Sequence, residues 1–360
     1  DMIDSYNFED RKLVEIVKAT YFNPKIVVID ETTTALSQEG REELYKHMER
    51  IRKSGNTVIF ISHDLPEIIE KSDTITILRD GVYIDTVKSK DVNENDLKKL
   101  MVGREVTGDY YRSDYGEKIS DEVVLSAKHV TVPGLIEDVS FDLHKGEILG
   151  FGGLSESGMH EIGKAIFGAS YDREGTVELA DGTQINDIPT AIKHSIAYTS
   201  KYRDNESVVL NQSIGDNICL PSLDELSGPA HLISDKKKKD FANKFAKQMS
   251  VKMVDVNQFV SNLSGGNKQK VVLARWIGKD SDIVVLDSPT RGIDIKVKQD
   301  IYQLMNQMRK NGKSIIMISE ELMELIGMCD RIMIMKDGKI SGELERDQNL
   351  DENGLITMMV

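Results

Sequence analysis

The sequence has few cysteines, no long apolar run and no excess of positive charge, and each shortage excludes a class of protein. Its 360 residues include two cysteines, Cys219 and Cys329, whose spacing suits no metal site and fits small core residues in a reducing compartment. No apolar run approaches the about 18–20 residues of a membrane span, and no signal-peptide pattern is present. The net charge of −14 argues against nucleic-acid binding as the main role. What remains is a globular chain long enough for two domains.

The most informative stretch lies between residues 263 and 294 and contains two motifs. Residues 263–267 read LSGGN, and a serine with two glycines at the start of a helix offers backbone N–H groups and a positive helix end to an anion. Residues 283–287 read IVVLD, an apolar strand ending in a carboxylate, which is how an α/β sheet presents a partner for Mg²⁺ beside a nucleotide. The candidate nucleotide-binding residues here are Ser264, Gly265, Gly266, Asn267 and Asp287.

Together these motifs resemble the signature loop and the Walker B strand of an ABC-type ATPase. More narrowly, LSGGNKQKVVLARW, SPTRGID and IYQLMN are similar to the second half of the duplicated ATPase of bacterial monosaccharide importers, the ribose/galactose/xylose type. The resemblance covers nearly the whole chain. It implies an α/β fold of duplicated P-loop NTPase (ABC ATPase) domains, each with a mainly parallel sheet core, a helical subdomain and an antiparallel β subdomain.

An internal repeat divides the chain. Residues 26–30 (IVVID) match residues 283–287 (IVVLD) at an offset of 257 positions, and the same offset pairs Ser62 with Ser319. The repeat predicts the C-terminal part of a first ATPase domain at 1–85 and a second ATPase domain at 123–360, and the polar residues 86–122 between them resemble the inter-domain linker. Because the chain opens at Asp1 in what matches the end of a domain, we expect a fragment or processed product that lacks the first P-loop.

The first copy keeps the residues that the resemblance assigns to hydrolysis. Asp30 ends its strand and would hold Mg²⁺, and Glu31 matches the catalytic glutamate that polarises the attacking water. His63 matches the switch histidine that contacts the γ-phosphate. The alternatives are a helix N-cap for the adjacent acids and a surface or satisfied core role for the histidine. The signature of this copy is broken, because residues 6–10 read YNFED where the second copy has LSGGN.

The second copy has a damaged P-loop. A working loop reads G-x-x-x-x-G-K-[S/T]. Here Gly153 and Gly158 are kept as candidate nucleotide-binding residues, but Met159 and His160 replace the lysine and the hydroxyl residue. We expect weak nucleotide binding through backbone N–H groups at most, and no hydrolysis. Three further departures agree with this: Ser288 replaces the catalytic glutamate, Glu320 replaces the switch histidine, and Lys201 stands where the Q-loop region carries an acid.

The resemblance also implies how the copies cooperate. ABC ATPase domains pair head to tail, so each ATP lies between the P-loop and Walker B of one domain and the signature of the other. The intact acids of the first copy would then form one site with the intact signature of the second copy. The damaged P-loop of the second copy would form the other site with the broken signature of the first copy. We therefore expect one hydrolytic site that uses ATP and Mg²⁺, and one structural or regulatory site.

The expected partners and location also follow from the resemblance. They are integral membrane permease subunits, indirectly a periplasmic or lipid-anchored sugar-binding protein, and a peripheral position on the cytoplasmic face of the cell membrane, with no nucleic acid. Two alternatives stay open: a nucleoside-importer ATPase, and a non-hydrolysing nucleotide-binding regulator or remnant. Co-purification with a permease would favour transport, and ATP binding without turnover by the intact gene product would favour the regulator.

The repeat makes a prediction about the coding sequence upstream of Asp1. Shifting Gly153 by the offset of 257 positions places the counterpart P-loop about 104 residues before Asp1. Sequencing that region is expected to reveal G-x-x-x-x-G-K-[S/T] in frame. A stop codon or a start codon at Asp1 would leave the first copy without a phosphate cradle and would contradict the hydrolytic assignment.

Overall fold

The computed structural model of the chain divides into two compact units. One comprises Asp1–Gly108 with Asp294–Lys296, and the other comprises Asp109–Ile293 with Val297–Val360. The structure describes residues 3–359 except 4–5, 7, 23, 31, 34–35, 37, 63, 80–81, 103–109, 116–117, 155, 229–231, 294 and 348–349. Within these residues, no helix has the length and apolar content that a membrane span requires.

In its described residues, the first unit contains two pairs of strands and four α-helices. Its parallel pair carries Asp30 at one strand end, directly beside Ile61 of the neighbouring strand. The second pair is an antiparallel hairpin. One of the helices lies inside the stretch 86–122, which the polar composition assigns to a linker. The elements are α1 (Phe8–Thr20), β1 (Ile26–Asp30), α2 (Gln38–Lys53), β2 (Thr57–Ile61), α3 (Leu65–Lys71), β3 (Thr74–Arg79), β4 (Val82–Lys88) and α4 (Glu94–Val102).

The second unit contains two sheets. An antiparallel sheet of three strands has the order β6-β5-β8, with β5 (Val123–Val132), β6 (Ile136–His144) and β8 (Glu174–Leu179). A six-stranded sheet has the order β13-β12-β7-β11-β10-β9, in which β13 is antiparallel to β12 and the remaining neighbours are parallel. Its strands are β7 (Ile148–Gly153), β9 (Ile196–Thr199), β10 (Ile283–Asp287), β11 (Ser314–Ile318), β12 (Arg331–Lys336) and β13 (Lys339–Glu345).

Helices complete the second unit and confirm the predicted helical subdomain. Among them α7, α9 and α10 pack against one another, and Cys219 at the end of α7 is buried in that packing as a free thiol. The predicted core role of Cys329, also free and buried, is confirmed too. The helices are α5 (Met159–Ile166), α6 (Ile188–Lys193), α7 (Ile214–Cys219), α8 (Leu223–Leu226), α9 (Asp235–Gln248), α10 (Gly265–Gly278), α11 (Ile295–Lys310), α12 (Leu322–Met328) and α13 (Glu352–Met359).

Residues 110–114 pack on the second unit, although the sequence assigns them to the linker. The rings of Tyr110 and Tyr111 lie 5.4 and 5.3 Å from the ring of Tyr302, as expected for an aromatic pair that packs on a domain. The buried guanidinium of Arg112 donates to Asp330 at 2.7 Å. This ion pair ties the segment to the start of β12 because neither buried charge has solvent as a substitute partner.

The sequence repeat is also a structural repeat. Ile26 pairs with Thr57 across β1 and β2, and Ile283 pairs with Ser314 across β10 and β11, both members shifted by 257 positions. The helices that follow these strands also repeat. The bounds of α2 and α3, shifted by the same offset, are the bounds of α11 and α12. The two copies therefore have the same strand register, so corresponding residues occupy corresponding places within their own units.

A buried carboxylate fixes the strand ends in each copy. In the second unit, Glu324 accepts hydrogen bonds from the hydroxyls of Thr290, Tyr302 and Ser319, the last at 2.8 Å. Burial, followed by the nearby charge of Glu324, raises the pKa of Tyr302, so its hydroxyl stays a donor. The network joins the loop after β10 to the end of β11. The first unit repeats it with Glu67, Thr33, Tyr45 and Ser62.

We predict that Glu324→Gln lowers the free energy of unfolding of the second unit by about 2 kcal/mol. The amide keeps one acceptor oxygen for three hydroxyl donors and turns an NH₂ group toward them. Urea unfolding followed by the fluorescence of Trp276, the chain's one tryptophan and a buried residue of this unit, measures the change. The exposed Glu174→Gln is the control and is expected to change stability by less than about 0.5 kcal/mol. Equal midpoints for the two variants would contradict the prediction.

Candidate functional site

The candidate site of the second unit lies at the carboxyl edge of its parallel strands. All five residues of β10 are buried, as is typical of a strand covered on both faces, and Asp287 at its end is 1% exposed. The neighbouring strands β9 and β11 run parallel to β10, so their carboxyl ends lie at the same edge. Loops at this edge are where open α/β sheets bind ligands.

The P-loop motif of this unit keeps its two glycines but not its cation. Gly153 ends β7 and Gly158 precedes α5, as the motif predicts. Gly158 has φ +88°, and a Cβ there would lie 2.6 Å from the Leu135 carbonyl oxygen, so the position requires glycine. Met159, in the place of the lysine, is fully buried in the hydrophobic core. The loop therefore presents no lysine-like charge to a phosphate.

His160 bridges two carboxylates at this edge. Its Nδ1 lies 2.7 Å from Asp287 Oδ1 and its Nε2 lies 3.2 Å from Glu320 Oε1. An ionised carboxylate only accepts hydrogen bonds, so both ring nitrogens donate and the ring is an imidazolium. The sequence treats His160 and Glu320 as two separate losses, but the structure brings them together as a bonded pair.

The pKa shifts agree with this ion pair. Burial lowers the pKa of His160, but the hydrogen bonds to Asp287 and Glu320 outweigh burial, and the net pKa is raised above its ordinary value. The hydrogen bond from His160 is the largest influence on Glu320 and, against burial, lowers its pKa to about 2. Both shifts therefore favour the charged form of each partner.

Mg²⁺ does not fit this arrangement. A P-loop site offers the metal a hydroxyl from the loop and an aspartate from Walker B. Here His160 stands in the place of the hydroxyl residue, and its ring already donates to Asp287, which also accepts from Ser288 Oγ at 3.2 Å. No cluster of three or more histidine, cysteine or acidic side chains suited to a metal exists in the described part of the chain. The second copy therefore has an internal cation instead of a metal site.

The signature motif opens α10, as the sequence predicts. Ser264 precedes the helix, and its Oγ accepts a hydrogen bond from Asn267 Nδ2 at 3.0 Å. Asn267 Oδ1 accepts from the backbone of Lys252 at 2.8 Å, which fixes the amide in place. The N–H groups of the first turn have no partner within the helix and form a potential anion site. A Cβ at Gly265 would lie 3.1 Å from the guanidinium of Arg203, a neighbour that the motif does not reveal.

The first unit's candidate residues are described in part. Asp30 ends β1 with an exposed side chain. Its carboxylate is of the oxygen type that Mg²⁺ prefers. Glu31 and His63, the predicted catalytic residues, lie outside the described residues. The helix α1 begins at Phe8, within the broken signature, at the place where α10 begins in the second copy.

We predict that the stability of the second unit depends on pH through His160. Its raised pKa means that the ion pair stabilises the fold fully below pH of about 6.5 and that this contribution is lost as the pH rises through the folded-state pKa. Glu320, with its lowered pKa, contributes above pH of about 4.5, and that contribution is lost toward pH 2. The difference in the free energy of unfolding between wild type and His160→Gln, followed by Trp276 fluorescence, is therefore expected to shrink as the pH rises above about 6.5, with a slope of at most about 1.4 kcal/mol per pH unit. A pH-independent difference would contradict the ion pair.

Comparison with known proteins places these features in one family. The ABC transporter family model matches residues 136–291. The ribose import ATP-binding protein of Lactococcus lactis is 40% identical over 352 residues, which cover 98% of this chain and 70% of that protein. The xylose import ATP-binding protein of Thermoanaerobacter pseudethanolicus is 42% identical over 350 residues, covering 94% of this chain and 68% of that protein.

Comparison with solved structures also identifies ABC transporter cassettes. The dimeric structure of a bacterial ABC transporter cassette superposes with a TM-score of 0.55 at 22% identity and covers 62% of this chain and 99% of that one. The predicted α/β P-loop NTPase fold is therefore confirmed. From its motifs, its fold and these relatives, the chain belongs to the family of ATP-binding subunits of ABC-type monosaccharide importers.

Proposed function

We propose that the chain is the ATP-binding and ATP-hydrolysing subunit that powers a sugar ABC importer, with one competent composite ATP site and one degenerate site. The proposal rests on a difference between the two copies of the repeat, whose strands have the same register. Asp30 and Asp287 end corresponding strands, but Asp287 is hydrogen-bonded to His160 within its own unit. The relatives named as ribose and xylose import proteins support a monosaccharide as the cargo.

In the competent site, each residue has a role that follows from the family resemblance. Asp30 holds Mg²⁺, which when bound neutralises charge on the phosphates. Glu31 orients and polarises the attacking water, and His63 contacts the γ-phosphate. The signature residues Ser264, Gly265, Gly266 and Asn267 complete this site with backbone and hydroxyl donors.

An exposed apolar face in the first unit supports the predicted domain limits. Val28 of β1 is 59% exposed and Ile61 of β2 is 45% exposed. Their counterparts Val285 and Ile318 are fully buried, and both contact α5 at Gly163, where a Cβ would lie 3.4 and 2.9 Å from them. The exposed face is therefore the one that the P-loop helix covers in the second copy, and we assign residues 1–85 to a domain whose P-loop helix covers it in the same way.

The proposed partners are the integral membrane permease subunits, and through them a sugar-binding protein. The subunit acts from the cytoplasmic face of the membrane. The sugar does not need to touch this subunit, because ATP binding and hydrolysis are coupled to the permease through its surface.

The test is a substitution of the proposed catalytic glutamate. In the full-length gene product assembled with its permease, Glu31→Gln is expected to lower the rate of ATP hydrolysis at least about 100-fold while ATP still binds, because the amide cannot act as a base. Phosphate release and nucleotide binding measure the two effects. Glu42 is an exposed acid on α2, and Glu42→Gln is the matched control, which is expected to leave turnover unchanged. Full turnover by Glu31→Gln would contradict the assignment, and ATP binding without turnover by the wild type would favour the regulator.

A further inference from the structure

A polar cavity borders the ion pair in the second unit. It has a volume of about 260 Å³ and lies between the segment after β9, the start of α10 and the loop after β10. A π-helical turn, Arg203–Ser207, forms part of its wall, and such turns occur frequently at functional sites. The residues that line it and matter here are Lys201, Arg203, Asp204, Gln269, Ser288 and Arg291.

The charge that this cavity presents is positive. Three cations line it against one carboxylate, Asp204, which is itself bound by Arg203 at 3.2 Å and by Lys268 at 2.6 Å. Lys201 and Arg291 form no ion pair with an acid in the described part of the chain. The ammonium of Lys201 lies 5.1 Å from the ring centroid of Tyr202, which leaves its charge available.

The carboxylates at the neighbouring strand ends already have a cationic partner. Asp287 and Glu320 both accept from His160, whose positive charge offsets one of their two negative charges. After the hydrogen bond from His160, the charges of Arg291 and Lys201 further lower the pKa of Glu320, which places both cations within electrostatic reach of this edge. A metal is therefore not needed to bring a phosphate here.

Neutral donors complete the cavity. Ser288 contributes a hydroxyl, and its backbone adopts φ +49°, an uncommon conformation for a serine that is found mainly where a site demands it. Gln269, 5% exposed on α10, contributes an amide. Cations combined with hydroxyl and amide donors are the set that binds phosphate oxygens in proteins.

We propose that this cavity binds a phosphate group without a metal ion. The group is either inorganic phosphate or the phosphate of a Mg²⁺-free nucleotide, held by Lys201 and Arg291 with help from Ser288 and Gln269. In this arrangement the substitutions of the second copy convert a site for a metal–nucleotide complex into an anion site. The proposal goes beyond hydrolysis in the first copy, which it does not require.

The experiment is equilibrium dialysis of the full chain with radiolabelled phosphate, or with ATP, in buffer containing EDTA. Wild type is expected to bind phosphate, and the double variant Lys201→Gln/Arg291→Gln is expected to bind at least about tenfold more weakly, since it loses two charge-assisted hydrogen bonds. The conservative pair Lys201→Arg/Arg291→Lys is expected to keep most of the binding. Lys236→Gln/Lys237→Gln removes the same charge from the exposed start of α9 and serves as the matched control.

The two ligands distinguish the source of the phosphate. Binding of inorganic phosphate that the double variant loses supports a free-phosphate site, and loss confined to ATP supports a nucleotide phosphate. No binding of either ligand, equal binding by the double variant and its control, or a requirement for Mg²⁺ would overturn the proposal. The dialysis measures binding without turnover, so failure here and failure of the proposed hydrolysis are distinguishable. Trp276 unfolding midpoints show that each variant is folded.

Discussion

A buried carboxylate at the end of a covered strand must have a positive partner, and the second unit is arranged around this requirement. Asp287 is delivered by five consecutive buried residues to an edge where solvent cannot neutralise it. In a working ATPase a metal with its nucleotide meets that need. Here the imidazolium of His160 meets it from within the chain, at 2.7 Å.

Much of the fold could be predicted from the sequence because the repeat carries positional information. The match of IVVID to IVVLD at a fixed offset predicts two strands of the same kind, and the structure gives them the same register. The network around Glu324 was missed, although the signal was available. The same offset relates threonine, tyrosine and glutamate in both copies, and a polar residue repeated inside an apolar pattern indicates a buried partner.

The pairing in the damaged site could not be predicted in the same way. His160 and Asp287 are 127 positions apart and His160 and Glu320 are 160 apart, and local patterns carry no information on contacts of such separation. A motif comparison scores each departure as a loss, because it compares one position at a time. Only the packing of α5 against the ends of β10 and β11 shows that a gained histidine and a gained glutamate are partners.

This partnership explains why the departures occur together. With His160 alone, its Nε2 would lose the carboxylate that accepts from it. With Glu320 alone, Asp287 would lose the imidazolium while a second carboxylate remained at the same edge. Each single change is therefore costly, whereas both together are satisfied. Reversal of either one leaves the other without its hydrogen-bond partner, so the two departures stabilise each other.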